Sequence, residues 1–283
     1  MAKFVVFGAN GVLGKTLVAD LKASNQEVMS VVRGDIDIFN AGELRDFLST
    51  CGEAIFVNCV AFMPADKCEL DPSLSQKVNV DFVESLSAGI VMNSKQRLIH
   101  FSSDFVFDGT SSTPYTEESK TNPLNIYGEH KVEAEKIVTE SLGERGKIIR
   151  FASLVTHSQE RKTFLEKVID RSKIVSELPL VSDLEISIAT SSLISLVVLN
   201  IRNIDKGIIH AVHEGKTTWF SLASAVLEEL EITIDRISVD SSEFSSVARR
   251  PVYSVLQPTD EVQSLDPRNW EVAVREYASK NLK

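Results

Sequence analysis

The chain has 283 residues, a net charge of −10 and 43% hydrophobic residues, enough to bury a full core. Its 30 lysines and arginines form no cluster, which argues against nucleic acid as a partner, because that partner needs phosphate-neutralising patches. No apolar run approaches the length of a membrane span, and the first one is cut short by Gly8, so neither an anchor nor a leader is expected. The odd set of three cysteines (Cys51, Cys59, Cys68) reads as free thiols of a reducing, cytoplasmic compartment, and the five histidines show no zinc spacing, so no metal is implied.

Lys3 to Phe7 is an apolar run with two valines, long enough for a strand. Gly8-Ala-Asn-Gly11-Val-Leu-Gly14 follows, and Leu13, Leu17, Val18 and Leu21 then repeat at helical spacing. A glycine-rich turn between strand and helix brings backbone amides and a helix N-terminus to a pyrophosphate. Gly8, Asn10, Gly11, Val12 and Leu13 are therefore candidate cofactor contacts. Strand before and helix after supply the context that a glycine triplet by itself lacks.

The second strand, Glu27 to Val32, ends at Arg33, where folds that prefer NAD place an acid on the ribose 2′-hydroxyl. An arginine there suits a 2′-phosphate and favours NADP, while the nearby Asp35 keeps NAD open and a solvated loop arginine is the plain alternative. Asp37 and Ile38, just beyond, are placed beside the adenine. The near-continuous apolar run Ala54 to Val60 is a strand buried on both faces. Its exit, Cys59, Val60 and small Ala61, should pass along the cofactor, with Asp66 and Lys67 as a loop ion pair.

A helix over 78–91 leads to an apolar strand, Leu98 to Phe101, which delivers Ser102, Ser103 and Asp104 at its tip. The stretch 108–122, rich in Gly, Ser, Thr and Pro, reads as a surface loop serving as a substrate lid. A helix over 125–141 carries Tyr127 and Lys131 on one face, a turn apart, and Lys147 to Phe151 is the next strand. The alternation predicts an α/β fold, a Rossmann-type doubly wound parallel sheet.

Taken singly, Tyr-x-x-x-Lys is more often a buried tyrosine beside a solvated lysine. Next to a strand-tip hydroxyl and a dinucleotide turn it suits proton transfer coupled to hydride transfer. A free phenol ionises near pH ~10 and needs a cation such as Lys131 to enter the working range. Ser103 would orient a substrate carbonyl for Tyr127 to protonate.

The runs GANGVLG, VNCVAFMPADKCE, HFSSDFVFDGT, PLNIYGEHKVEAEK and IIR together resemble the extended short-chain dehydrogenase/reductases, and within them the dTDP-4-dehydrorhamnose reductase family. The likeness continues through GIIHAVHEGKTTWFSLA, ARRPVYSVL and the closing helix at Trp270, and so covers nearly the whole chain. It implies an NAD(P)-binding domain over 1–152, rejoined by a helix within 186–205, and a smaller α/β substrate lobe over 153–283. It also implies Ser103, Tyr127 and Lys131 as the catalytic trio, Ser102, Tyr127 and Lys131 on the cofactor, and Met63, Asp104 and Phe105 on the substrate. The implied activity is NAD(P)H-dependent reduction of a keto-sugar nucleotide, and analogy with homologous folds adds the expectation of a homodimer.

The departures from the family pattern lie in the substrate half. Phe151-Ala-Ser-Leu-Val155 stands for a Thr-Ser-Trp-Val-Tyr run, and Asp183-Leu-Glu-Ile-Ser-Ile-Ala189 for Asp-Gln-x-Gly-x-Pro-Thr. Phe105 lacks the usual phenolic hydroxyl. These changes point to an altered sugar, since a pocket built to hydrogen-bond a substrate hydroxyl loses heavily when those partners are absent. Two alternatives share the trio: an NADP-binding regulatory subunit like the β subunit of methionine adenosyltransferase, and an epimerase or dehydratase. Beyond Phe151 the periodicity gives helices over 162–172, 188–201 and 219–230 and a strand over 207–212. Arg249-Arg250 suits either a nucleotide diphosphate or a surface ion pair.

Overall fold

The computed structural model describes residues 3–157 and 162–282. Strands and helices alternate from the start: β1 (Lys3–Phe7), α1 (Val12–Ala23), β2 (Val28–Val31), α2 (Ala41–Thr50) and β3 (Ala54–Asn58). Next come α3 (Ala65–Leu70), α4 (Pro72–Gln76) and α5 (Phe82–Val91), with a π-helical turn at Lys77–Asp81 joining the last two. β4 (Arg97–Ser103), α6 (Ile126–Leu142), β5 (Gly146–Phe151), β6 (Ser153–Val155) and α7 (Phe164–Ser172) follow. The remainder is β7 (Glu177–Val181), β8 (Glu185–Ile186), β9 (Ile188–Thr190), α8 (Ser191–Leu199), β10 (Ile208–His210), α9 (Trp219–Glu229), β11 (Asp235–Val239), β12 (Tyr253–Ser254), α10 (Asp260–Leu265) and α11 (Trp270–Asn281).

Six parallel strands form the central sheet in the order β2-β1-β3-β4-β5-β10. The chain steps from β1 outward to β2 and then crosses to β3 on the other side of β1. That reversal opens a crevice at the carboxyl ends of β1 and β3, where ligands of doubly wound sheets bind. Alternate residues face opposite layers: Phe4, Val6, Ile55 and Val57 pack with Leu17 and Leu21 of α1 and with Leu193, Ile194 and Val197 of α8. Val5, Phe7 and Phe56 pack instead with Leu44 of α2, Phe82 and Leu86 of α5 and Val138 of α6. Burying each such side chain contributes roughly 1.5–3 kcal/mol, so the sheet is held from both faces.

Past β5 the chain returns to the sheet through α8 and Val262 of α10 on one face and through β10 at the edge. Its other elements build a separate core of Val155, Leu165, Ile186, Leu222, Val226 and Val274, with the two-stranded parallel pairs β7–β11, β8–β12 and β6–β9. The helix expected from Ile188 begins only at Ser191. Ile188–Thr190 pairs with Ser153–Val155 as a strand, and the Thr190 side chain accepts from the Leu193 amide, capping the helix there.

The predicted lid over 108–122 is a pinned segment. The Asp108 carboxylate accepts from the Thr110 amide (3.0 Å), the Tyr115 hydroxyl (3.0 Å) and Asn122 Nδ2 (2.9 Å). Tyr115 stacks on Phe107 with ring centroids 4.1 Å apart, and its backbone bonds Val255 and Gln257 at 2.8 Å each. Among the described residues no helix is long and apolar enough to cross a membrane.

Candidate active site

The glycine turn and the exit of β3 close on each other. Gly8 has φ +75°, and a Cβ there would lie 3.1 Å from the backbone of Cys59 and of Val60. A Cβ on Gly14 would meet the Gly8 carbonyl oxygen at 2.3 Å. Only glycines let the strand tips, the turn and α1 approach this closely. Gly11 caps α1 without any side-chain bond, so the first-turn amides at Val12 and Leu13 stay available to an anion, with exposed Asn10 at the rim. This amide-lined cradle fits a dinucleotide pyrophosphate.

At the end of β2 the Asp35 carboxylate accepts from the Val32 amide at 2.8 Å, closing the turn on which Arg33 stands exposed. Asp37 is also exposed and organises its own turn through the Phe39 amide at 3.0 Å, with half-buried Ile38 between them. Past β3, Ala61 and Met63 are exposed on a loop clamped by buried Asn79, which accepts from the Phe62 amide (2.9 Å) and donates to its carbonyl (3.2 Å). Asn79 in turn donates to Ser75, and Ser75 bonds His130 Nδ1 of α6 at 2.8 Å.

Ser103 ends β4 and is followed by a 3-10 turn, Asp104–Val106. Its hydroxyl donates to Asp104 Oδ1 at 2.8 Å and accepts from the Phe105 amide at 3.2 Å. Opposite stands the first turn of α6, fixed by the Asn125 side chain accepting from the Gly128 amide (2.9 Å) and by Glu69 accepting from the Ile126 amide (2.8 Å). Gly128 lets the helix lie against the 3-10 turn, since a Cβ there would meet the Phe105 carbonyl oxygen at 2.2 Å. Tyr127 is thereby buried among Cys68, Phe105 and Ala248, with the Phe105 ring edge-on at 6.1 Å. Lys131, one turn on, is buried, donates to the Phe101 carbonyl at 2.9 Å and lies 5.6 Å from the Tyr127 ring centre.

The electrostatics differ from the sequence expectation in one respect. The Tyr127 phenol is pushed up, chiefly by burial and then by the charge of Asp104 and the thiol of Cys68, while the Ser103 hydroxyl pulls it down. Lys131 is not among the groups that shift the phenol, and burial pushes its own amine down to about 8. The phenol is thus protonated at neutral pH, the form that donates a proton. Burial also holds His100 of β4 neutral, its Nδ1 3.2 Å from Asn58 Nδ2.

Asp104 is pushed up to about 6 by burial, against the opposing bonds from Ser254 and Ser103. Because that lies above the ordinary 3.8, the folded protein binds this proton more tightly than the unfolded chain. The contribution to stability is full below about pH 4 and is lost as pH rises through about 6. Asp104→Asn should remove it, so that on going from about pH 4 to pH 7 the wild type loses on the order of 3 kcal/mol relative to the variant. Urea unfolding of both proteins at the two pH values checks this, and a constant difference between them would refute it.

Several predicted residues find partners other than those expected. The Ser102 hydroxyl donates to buried Glu135 at 2.5 Å. Asp66 pairs with Arg250 at 2.9 Å, and not with Lys67, and accepts the amides of Val247 and Ala248 at 2.9 Å each. The Ala248 amide bond and Arg250 hold its carboxyl down at about 2. Arg250 is therefore an ion-pair residue. Asp183 is occupied by the Ser241 amide (2.9 Å) and hydroxyl (2.6 Å), and Glu185 by Lys216 at 2.6 Å. Sequence reading missed Glu135, Arg150, Asn79 and Gly128. Gly128, Glu135 and Arg150 lie within the quoted runs, and Glu135 is also the next position after Lys131 on the Tyr127 face of α6.

The chain is similar to known proteins over nearly its whole length. The sequence profile described as the RmlD substrate binding domain matches residues 2–282. A dTDP-4-keto-6-deoxy-D-glucose reductase of Streptomyces niveus is 31% identical over 256 residues, covering 90% of this chain and 88% of that one. A dTDP-4-dehydrorhamnose reductase of Streptomyces griseus is 30% identical, covering 97% and 92%. The crystal structure of a Clostridium acetobutylicum dTDP-4-dehydrorhamnose reductase superposes with a TM-score of 0.89 at 29% identity, covering 98% of this chain and 99% of that one. With the match running nearly end to end, and the glycine turn and serine tip following the carboxyl ends of β1 and β4, the chain belongs to the RmlD substrate binding domain family.

Proposed function

We propose that the chain is an NADPH-dependent oxidoreductase that reduces the keto group of a nucleotide-linked sugar, the class of substrate for which its Streptomyces relatives are named. The observation that carries this reading is the convergence of Ser103, Tyr127 and Lys131 at the carboxyl end of β4, beside the amide-lined cradle. A reduced nicotinamide, when bound, supplies the hydride. Gly8, Gly11 and the amides of Val12 and Leu13 hold its pyrophosphate, and Arg33 takes a 2′-phosphate. Asp37 and Ile38 flank the adenine, and the backbone of Cys59, Val60, Ala61 and Ser102 lines the rest.

Lys131 holds the nicotinamide ribose. The Ser103 hydroxyl turns from Asp104 to the substrate carbonyl and holds that oxygen near the Tyr127 phenol. Tyr127, kept protonated by burial, gives its proton to the same oxygen. Met63 and Phe105 offer apolar contact to the sugar and Asp104 a polar one. The residues of 183–186 are committed to the protein's own bonds and core, which supports a sugar whose hydroxyls are met elsewhere. The three free thiols fit a cytoplasmic setting.

The test is to incubate the protein with NADPH or NADH and a panel of keto-sugar nucleotides that includes dTDP-4-dehydrorhamnose. Net NADPH consumption, faster than NADH consumption, is the expected result. Turnover without net consumption would make the chain an epimerase, and tight NADPH binding without turnover a regulatory subunit. Either outcome overturns the proposal.

A further inference from the structure

Arg33 stands exposed just beyond β2, and among the described residues its side chain has no hydrogen-bond or ion-pair partner, although Asp35, Asp37 and Glu43 follow it closely in the chain. Each of those acids is turned into the backbone of its own loop. Asp35 Oδ2 accepts from the Val32 amide at 2.8 Å, Asp37 Oδ1 from the Phe39 amide at 3.0 Å, and Glu43 Oε1 from the Asp37 amide at 3.0 Å. The guanidinium is left without a counter-ion.

The turn that carries Arg33 is closed twice, because the Asp35 amide also donates to the Val32 carbonyl at 3.1 Å. Between the two lies Gly34 at φ +101°, a position where the chain is free to take many shapes unless something ties it. Beyond the turn, buried Ile36 packs with Val31 and Phe7. Before it, the Val31 carbonyl accepts the amides of Gly8 and Ala9 at 3.0 and 3.2 Å, which joins the tip of β2 to the cradle. The Asp35 side chain closes the stretch between these two anchors.

For a dinucleotide lying over that cradle, the arrangement bears on the choice of cofactor. An acid free to turn outward at the end of the second strand binds the ribose 2′-hydroxyl and repels a 2′-phosphate. An arginine meets phosphate oxygens with two parallel bonds, and it does so at lower cost when its backbone is already held in place. The clasp on Val32 serves both ends, since it occupies the acid and fixes the turn. The charge of Asp35 works against a phosphate, but it is exposed and therefore weakened by solvent and salt.

We propose that Asp35 is a specificity-determining positioning residue: by clasping the Val32 amide it holds the turn that presents an unpaired Arg33 to the 2′-phosphate of NADPH. The inference rests on the cofactor reading given above and deepens it, and no sugar substrate enters it. Asp35 acts through Arg33 and touches no cofactor atom itself.

The test is the dissociation constants of NADPH and of NADH, measured by titration calorimetry for the wild type, Asp35→Asn and Asp35→Ala, with both substitutions repeated in an Arg33→Ala background. Each removes the charge, but asparagine keeps an oxygen for the Val32 amide and alanine does not, so comparing the two isolates the clasp. NADPH should bind Asp35→Ala about 3–10-fold more weakly than Asp35→Asn, the scale of one hydrogen bond. Asp35→Asn should bind it at least as tightly as the wild type. NADH should bind the two variants equally, and without Arg33 the NADPH difference should vanish. A merely structural role would weaken both cofactors together. Equal NADPH binding by the two variants, a parallel loss for NADH, or a difference that survives in the Arg33→Ala background would overturn the proposal while leaving a wild-type preference for NADPH in place. A wild type with no such preference would overturn the cofactor reading and the proposal with it. No keto-sugar nucleotide is added, so a failure of turnover is read separately.

Discussion

Tyr127→Phe should abolish most NADPH oxidation with a keto-sugar nucleotide, by about 10²–10⁴-fold, the range that one positioned general acid contributes. The fall should appear in kcat more than in KM, because the phenol acts on an oxygen that gains charge only in the transition state. The ring itself is packing. Phenylalanine keeps the edge contact with Phe105 and the burial against Cys68 and Ala248, so the thermal midpoint should barely move. The raised pKa of the phenol adds a direction. Burial and Asp104 disfavour phenolate, so reduction, which consumes a phenol proton, is favoured over alcohol oxidation at neutral pH. Stopped-flow or steady-state oxidation of NADPH checks the rate, and a variant as fast as the wild type would remove Tyr127 from the mechanism.

Gly128→Ala should produce the other large loss, and for a purely steric reason. A Cβ at position 128 would sit 2.2 Å from the Phe105 carbonyl oxygen and 2.8 Å from Pro123 Cβ, and backbone cannot yield as a flexible side chain can. The first turn of α6 must therefore move off the 3-10 turn, carrying Tyr127 away from Ser103. Forced overpacking of this kind costs about 1–3 kcal/mol of stability. A displacement on the order of 1 Å at the reacting groups costs about 10²-fold in rate. The two effects separate experimentally: a denaturant titration reads the first, and turnover at a temperature where the variant is folded reads the second. Full activity in a destabilised variant would show that the spacing of the two elements is not what sets the rate.

The sequence by itself determined the sheet, the glycine cradle and the positions of Ser103, Tyr127 and Lys131. These follow from short-range rules: alternating apolar runs make strands, glycines mark the tight turn, and a four-residue step puts a phenol and an amine on one helix face. The helix wrongly extended back to Ile188 shows the limit of such rules. An Ile-Ala-Thr run suits a helix or a buried strand equally, and only its pairing with Ser153–Val155 decided the matter. Partner choice among charges lay further out of reach. Asp66 lies beside Lys67 in the chain but pairs with Arg250, and Glu135 pairs with Arg150, because burial selects the partner that can satisfy a carboxylate from the right side. The protonation of Tyr127 was a tertiary outcome too. Sequence spacing placed a cation nearby, whereas the folded chain buried the phenol and set Asp104 beside it, and both disfavour the phenolate.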